Sequence, residues 1–416
     1  MNLEVIYPQT ANVIDYDVAE IVFHGTTEYD VSGRAKGYSK EGARMLQGMI
    51  QQVNQNIQKT FKISKPNFLR MNKVQNYAAK KSTFLNKLNK SDLEKLNPAG
   101  IISRVFSEAE GNGGDITITT GSLEIKNGAI IGAGTSGKGN AGSVNINTTD
   151  TIIFNGENSK FFTGVSSLVF PGAEGNGGNI NITTRSAKGQ NEAQISASTS
   201  GKGNAGNIDI RATELEVKDN AKISARTIRT GEGGNIIINT PDTLNITGNG
   251  EITVESRGPG NAGTIKITSP NMALSESIDI TASTSDIGDG GQIKIEAGEI
   301  TAPNSTISAK STGAGNAGTI DITAQGDITT GVVTSAATND IETAHGGSIS
   351  ITSQQGKINA TEAIQSFSER GNAGDVTLKA KTDITANTIS SHGKQKGGQI
   401  TTVSYTHLTL PTTLVV

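Results

Sequence analysis

One short signature recurs along this chain and constrains its fold more than any other feature: two small residues ending in Gly, then a polar residue, an aliphatic one, any residue and a second aliphatic. The closing Gly falls at 114, 142, 178, 206, 234, 263, 291, 318, 347, 374 and 398, so successive copies lie 24 to 36 residues apart, with 28 the commonest interval. Two residues after every closing Gly stands Ile or Val, from Ile116 to Ile400, and four after it stands Ile or Leu in ten of eleven copies. Polar and apolar residues therefore alternate with period two, the pattern of a strand with one buried face. Weaker pairs follow in each unit, such as Leu123 with Ile125 and Leu215 with Val217, then Ile131 with Ala133 and Ile223 with Ala225. Three short strands per unit cannot bury a core alone, but stacked units close a shared interior. The repeat predicts an all-β array over residues 98–401: a right-handed parallel β-helix (β-solenoid) of about 28-residue coils. The right hand is expected because parallel crossover connections strongly favour it. At about 4.8 Å per coil, the ten intervals give a rod roughly 48 Å long.

Composition suits such a rod better than a set of globular domains. The chain of 416 residues has 51 Gly, only 4% aromatic residues, no Trp and no Cys, which removes disulfides, thiolate metal sites and cysteine nucleophiles. A column of buried Ile, each contributing about 1.5–3 kcal/mol, can stand in for an aromatic core. Asn sits two before the closing Gly at Asn112, Asn140, Asn176, Asn204, Asn261, Asn316 and Asn372, as expected for a structural ladder of side-chain amides bonded to neighbours above and below; Glu232, Asp289, His345 and Lys396 are read as interruptions. The Gly pairs suit corners where a β-carbon would clash. One unit is eight residues longer than the common interval and contains Phe154, Phe161, Phe162 and Phe170, which are expected to pack a loop against the rod rather than form an exposed patch.

Gly137 to Gly142 spells G-x-G-x-x-G, but a dinucleotide site needs a strand before it and a helix after it, whereas here a strand pattern follows, and the spelling recurs from Gly201, Gly258 and Gly313 in step with the repeat. The slot three after each closing Gly carries Asp209 and Asp321 four coils apart, with no paired carboxylates; Lys266 and Lys294 are neighbours in it and could grip an anionic sugar, although a solvated face is the preferred reading. Four His, at 24, 345, 392 and 407, show no metal-ligand spacing. No catalytic, cofactor-binding or metal-ligating residue is assigned. A formal charge of −3 gives no general case for nucleic acid or a membrane surface, and no apolar run reaches the ~18 residues needed to span a bilayer.

The first hundred residues differ from the array: they hold 14 Lys or Arg against 9 Asp or Glu, five of six Tyr and only 6 Gly. Residues 1–97 read as a small α+β segment of unknown role, with strands at Leu3 to Tyr7 and Ile21 to Phe23 and helical spacing from about Glu41. The run Ile21 to Thr26, with His24, faintly resembles the first motif of ADP-ribosyltransferases, and a histidine at a strand end is the preferred reading. Ten basic residues between Lys59 and Lys95 leave an independent nucleic-acid-binding activity open there, with solvated helix surface preferred. The first 25 residues lack a secretory leader pattern, so export is expected to need an upstream segment.

Phrases such as Gly111-Asn112-Gly113-Gly114-Asp115-Ile116-Thr117-Ile118 and Gly203-Asn204-Ala205-Gly206-Asn207-Ile208-Asp209-Ile210 resemble the repeats of filamentous-haemagglutinin-like exoproteins, especially the cyanobacterial members of the two-partner secretion class; the resemblance spans Ala99 to Ile400, about 73% of the chain. It implies a right-handed β-helix, export through an outer-membrane transporter partner, and a secreted or cell-surface place for the full-length protein. Residues 100–114 repeat residues 164–178 at a constant offset of 64, so the array starts in mid-coil, and residues 1–97 are expected either to cap it or to derive from a recombined join. Val403 to Thr413 resembles a translated sequencing adapter, and residues 402–416 are expected to be such a tail.

The expected function is that of a fragment of a secreted or cell-surface adhesin-like exoprotein: a non-catalytic β-helical stalk whose partners are extracellular carbohydrate or protein ligands. The alternative is a polysaccharide-active β-helix enzyme.

Overall fold

The computed structural model describes residues 100–157, 162–339 and 343–409. The expected α+β segment over 1–97, with His24 and the basic stretch from Lys59 to Lys95, lies outside them, as do residues 410–416 of the expected tail. Among the described residues there are 25 strands and no helix. The strands pair in parallel, and the chain forms a β-solenoid of about 11 turns with coils of about 28 residues.

Each coil is built as the periodicity predicts. In the first complete one, Ile116–Thr120, Leu123–Lys126 and Ile130–Thr135 lie under Val144–Thr148, Thr151–Asn155 and Gly164–Val169 of the next. Ile116 pairs with Val144, Leu123 with Ile152 and Ile131 with Val165, so each apolar slot stacks on its own equivalent. The same column runs on through Ile208, Ile236 and Ile265, all fully buried, to Ile400, which is half-buried. At that end Thr402 stands where the pattern asks for Ile, in register with Leu378, and Leu408–Thr409 pairs with the strand below; the array thus extends into residues expected to form the tail.

Three features differ from the three-short-strand expectation. First, several coils fuse neighbouring strands into one bent strand: the first two in Ile180–Gln190 and Thr264–Leu274, and all three in the 17-residue Gln292–Ser308. At the bend a small residue points inward, and where it is Ser or Thr its hydroxyl satisfies a carbonyl two residues on, as Ser269 Oγ does for Asn271 O at 2.8 Å. The ladder then turns the corner without breaking. Second, irregularities at Ala302/Thr306, Thr330/Val333 and Ala360/Ala363 absorb the differences in coil length. Third, the small pair at the marker alternates strictly between Gly-Gly and Ala-Gly along the eleven copies. A β-carbon added at Gly113, Gly177 or Gly233 would come 2.8, 2.6 or 2.9 Å from the closing-Gly nitrogen of the next coil, so these corners exclude Ala.

Most of the extra residues fall between Asn155 and Gly164, where the register against the coil below moves on by five, and Phe154 packs inward, 2% exposed, over Gly189 of the next coil, where no side chain competes for the space. Phe170 instead forms a platform for the Arg104 guanidinium, 4.1 Å from its ring centre. Phe161 lies outside the described residues.

A buried seam holds the last corner in eight of the coils. In four coils the closing-Gly N–H, at Gly206, Gly234, Gly291 and Gly318, donates to the carbonyl of an Ala nine residues earlier, at 2.9–3.1 Å. In four others the corner is longer or shorter, and the same column holds Ser167, Ser335, Ser366 or Ser391. Ser366 Oγ donates to Gly347 O at 2.9 Å and accepts from Gly374 N–H at 2.8 Å, and the other three serines bridge in the same way. The hydroxyl spans a gap that the backbone cannot close when the corner departs from nine residues. Ser366→Ala orphans a donor and an acceptor in a buried corner, at a cost of about 1–3 kcal/mol. We expect the Gly374 amide to exchange with deuterium markedly faster in that variant; unchanged exchange would show that the hydroxyl does not hold the corner.

Candidate functional site

The corners and the outward faces of the strands are where side chains are not consumed by the core. The recurring Gly137 to Gly142 motif is a corner: strand Val144–Thr148 follows it, Gly139 has φ +133°, and a β-carbon there would land on the Gly111 carbonyl below. The glycines allow backbone to lie directly on backbone.

The asparagines at these corners form a ladder with a different bond from the expected one. Oδ1 accepts the backbone N–H of the same slot one coil on: Asn140 N–H donates to Asn112 Oδ1 at 2.9 Å, Asn176 to Asn140 at 2.8 Å, and Asn204 to Asn176 at 2.9 Å. The slot needs an acceptor, not an amide, so two residues read as interruptions are rungs. Asp289 accepts from Asn316 at 2.8 Å, and His345 Nδ1 accepts from Asn372 at 3.0 Å. Asn204 and Asn261 serve Glu232 and Asp289, and Asn316 serves His345. A second column, immediately after the closing Gly, was legible in sequence only as polar. There Asp115, Asn179, Asn207, Asn235 and Asp375 each accept the N–H of the next coil at 2.6–2.9 Å. The signal for it was the enrichment of short acceptor side chains at that slot.

Charge on the corner face alternates. Glu110, Lys138, Glu174 and Lys202 follow one another in one column, with Lys138–Glu110 at 3.4 Å and Lys202–Glu174 at 2.8 Å. The Lys202 ammonium, by hydrogen bond and then by charge, holds the Glu174 carboxyl below its ordinary value. Glu110, Lys138 and Glu174, with Glu108 and the residues around Gly137 and Gly172, line a shallow cleft of about 270 Å³.

On the first-strand face, Lys266 and Lys294 are in register as expected, but they are not free to grip an anion together. Glu296 lies 2.8 Å from Lys294 and 3.9 Å from Lys266. Asp209 is paired with Arg211 at 2.8 Å, and Ile237, Lys266 and Lys294 separate it from Asp321 in the column. Three coils at the start of the array present an uncharged face instead: Thr117, Asn145 and Asn181 in one row and Thr119, Asn147 and Thr183 beside it, with Asn181 Nδ2 donating to Asn145 Oδ1 at 2.8 Å. His392 stacks on Phe367, and among the described residues no three His, Asp or Glu are grouped to hold a metal ion.

No family model matches the chain, and neither a curated protein nor a solved structure matches it.

Two outcomes test this electrostatic and ladder geometry. Asn140→Asp should keep the rung, whereas Asn140→Ala should speed hydrogen exchange at the Asn176 amide by the loss of one net hydrogen bond, about 0.5–1.5 kcal/mol; equal exchange in the two variants would remove the ladder's role. The Glu296 carboxyl is held below its ordinary value, chiefly by its hydrogen bond to Lys294, with burial opposing. Its contribution to stability is therefore present above the unfolded carboxylate value and is lost as pH falls through the lowered folded value. A side-chain NMR titration should show that midpoint rising in Lys294→Gln, and a midpoint that stays put would contradict the pairing.

Proposed function

We propose that this chain is a fragment of a secreted or cell-surface adhesin-like exoprotein and serves as a non-catalytic β-helical stalk for adhesion or cell-surface interaction. The observation that carries the reading is the unbroken register of the first-strand face: from Thr117 to Thr401 the outward side chains, mostly Thr, Asn, Ser, Lys and Asp, stack coil on coil in one row at a spacing of about 4.8 Å. Such a rod suits spacing and multivalent contact, because many weak equivalent contacts along a rigid track add up to useful avidity. Its ligands are extracellular carbohydrate or protein, and the full-length protein is delivered through an outer-membrane transporter, as the repeat resemblance implies. The uncharged rows at Thr117, Asn145 and Asn181 support a polar polymer as the ligand, since the same type of side chain is offered again from one coil to the next.

The full chain should be retained on whole cells or on immobilised polysaccharides without producing new reducing ends. Reducing ends that accumulate with time would replace the stalk by a polysaccharide-active enzyme, and absence of retention on every surface tried would remove the adhesive role.

A further inference from the structure

The chain contains five Asn-Gly dipeptides within the described residues, at Asn112, Asn127, Asn155, Asn176 and Asn249. This is the sequence in which a peptide nitrogen attacks the preceding side-chain amide most readily, because Gly offers no steric cover. The structure separates the five sharply. Gly113 N–H donates to Asn140 O at 2.8 Å, Gly156 to Gln190 O at 3.1 Å and Gly177 to Asn204 O at 2.9 Å, each bond made to the next coil. Gly128 N–H donates to Thr163 Oγ1 at 2.8 Å. Among the described residues Gly250 N–H has no acceptor, although Gly250 is buried.

The neighbouring coils show what is missing. At the same corner, immediately before the third strand, Ala129, Ala193 and Ala221 each return an N–H to the carbonyl three residues earlier, at 3.0, 3.2 and 3.1 Å. Gly250 occupies that slot above Ala221, but residues 247–250 form an open bend rather than a hydrogen-bonded turn. Gly248 and Asn249 both have positive φ, +61° and +59°, and Asn249 is exposed. A buried backbone donor without a partner is an exception among native structures and asks for a consequence.

We infer that Asn249 is a site of spontaneous modification, converting to aspartate and isoaspartate with water as the co-reactant. The Gly250 nitrogen, once its proton is lost to hydroxide, attacks Asn249 Cγ. The new C–N bond closes a five-membered succinimide while the Cγ–Nδ2 bond breaks and ammonia leaves with the proton. Water then opens the ring. Addition at Cγ restores the ordinary backbone with an aspartate side chain, whereas addition at the main-chain carbonyl routes the backbone through Cγ as isoaspartate. Either product adds a carboxylate to the corner that stacks on Asp219 and Asn220, whose N–H donates to Gly248 O at 2.7 Å. At the other four sites a hydrogen bond must open before the nitrogen can react.

The full chain, aged at mildly alkaline pH and mapped by peptide mass spectrometry with isoaspartyl methyltransferase labelling, tests this. Asn249 should convert at least about fivefold faster than any of the other four, the factor that corresponds to one net backbone hydrogen bond. In denaturant the five should convert at similar rates, and Asn249→Gln should abolish the folded-state signal while leaving the slow ones. Conversion at Asn249 no faster than at Asn112, Asn127, Asn155 or Asn176 in the folded chain would overturn the inference, as would a labelling signal unchanged in Asn249→Gln.

Discussion

Backbone stacked on backbone, one coil directly over the next in register, is the constraint from which the rest of this molecule follows. Because a parallel ladder places each residue beside its own equivalent, every slot becomes a column and every column must tolerate itself. Apolar columns gain from this, since Ile over Ile over Ile leaves no polar group to satisfy. Corners gain only where a β-carbon can be dispensed with, as at Gly139, where the Gly111 carbonyl occupies the place a side chain would take. Charged columns lose, and the chain answers with alternation, Glu110, Lys138, Glu174 and Lys202, or with a shared counter-ion, Glu296 beside Lys266 and Lys294.

Hydrogen bonds that the strands cannot make at the corners are made by three devices of the same kind, each supplying an acceptor or a bridge where the coil turns. Asparagine, aspartate and His345 take up the N–H of the coil above on one side of the closing Gly, and a second acceptor column does so on the other. The buried serines adapt corners of differing length to the same stack. Variation in coil length, which a strict repeat would forbid, is thereby tolerated without opening the core. The bend at residues 247–250 lacks such a device, and its Gly250 amide is left over. A uniform rod thus has a chemically distinct point.

Much of this was legible in the residues. The aliphatic columns, the parallel coil and the corner role of the Gly-rich motif followed from periodicity, because apolar burial depends on which slot a residue occupies and little on its exact path. The asparagine slot was legible, but its bond was not: Oδ1 meets a main-chain N–H rather than another amide, and only the backbone trace shows why Asp289 and His345 serve equally well. The second acceptor column escaped notice because Asp, Ser, Asn, Thr and Gln at one slot look merely polar. The apparent anion grip of Lys266 and Lys294 dissolved because Glu296 stands in the adjacent row, two residues along the strand and on the same face.

The sequence alone determined the number of coils, the composition of each core column and the corners that admit no side chain, since a single period makes every position its own neighbour. The tertiary structure decided which donor meets which acceptor, which charges neutralise one another and which amide is left without a partner. Those outcomes turn on ångström-scale differences in the corner path, and corners of unequal length follow no period that a pattern of residue types could record.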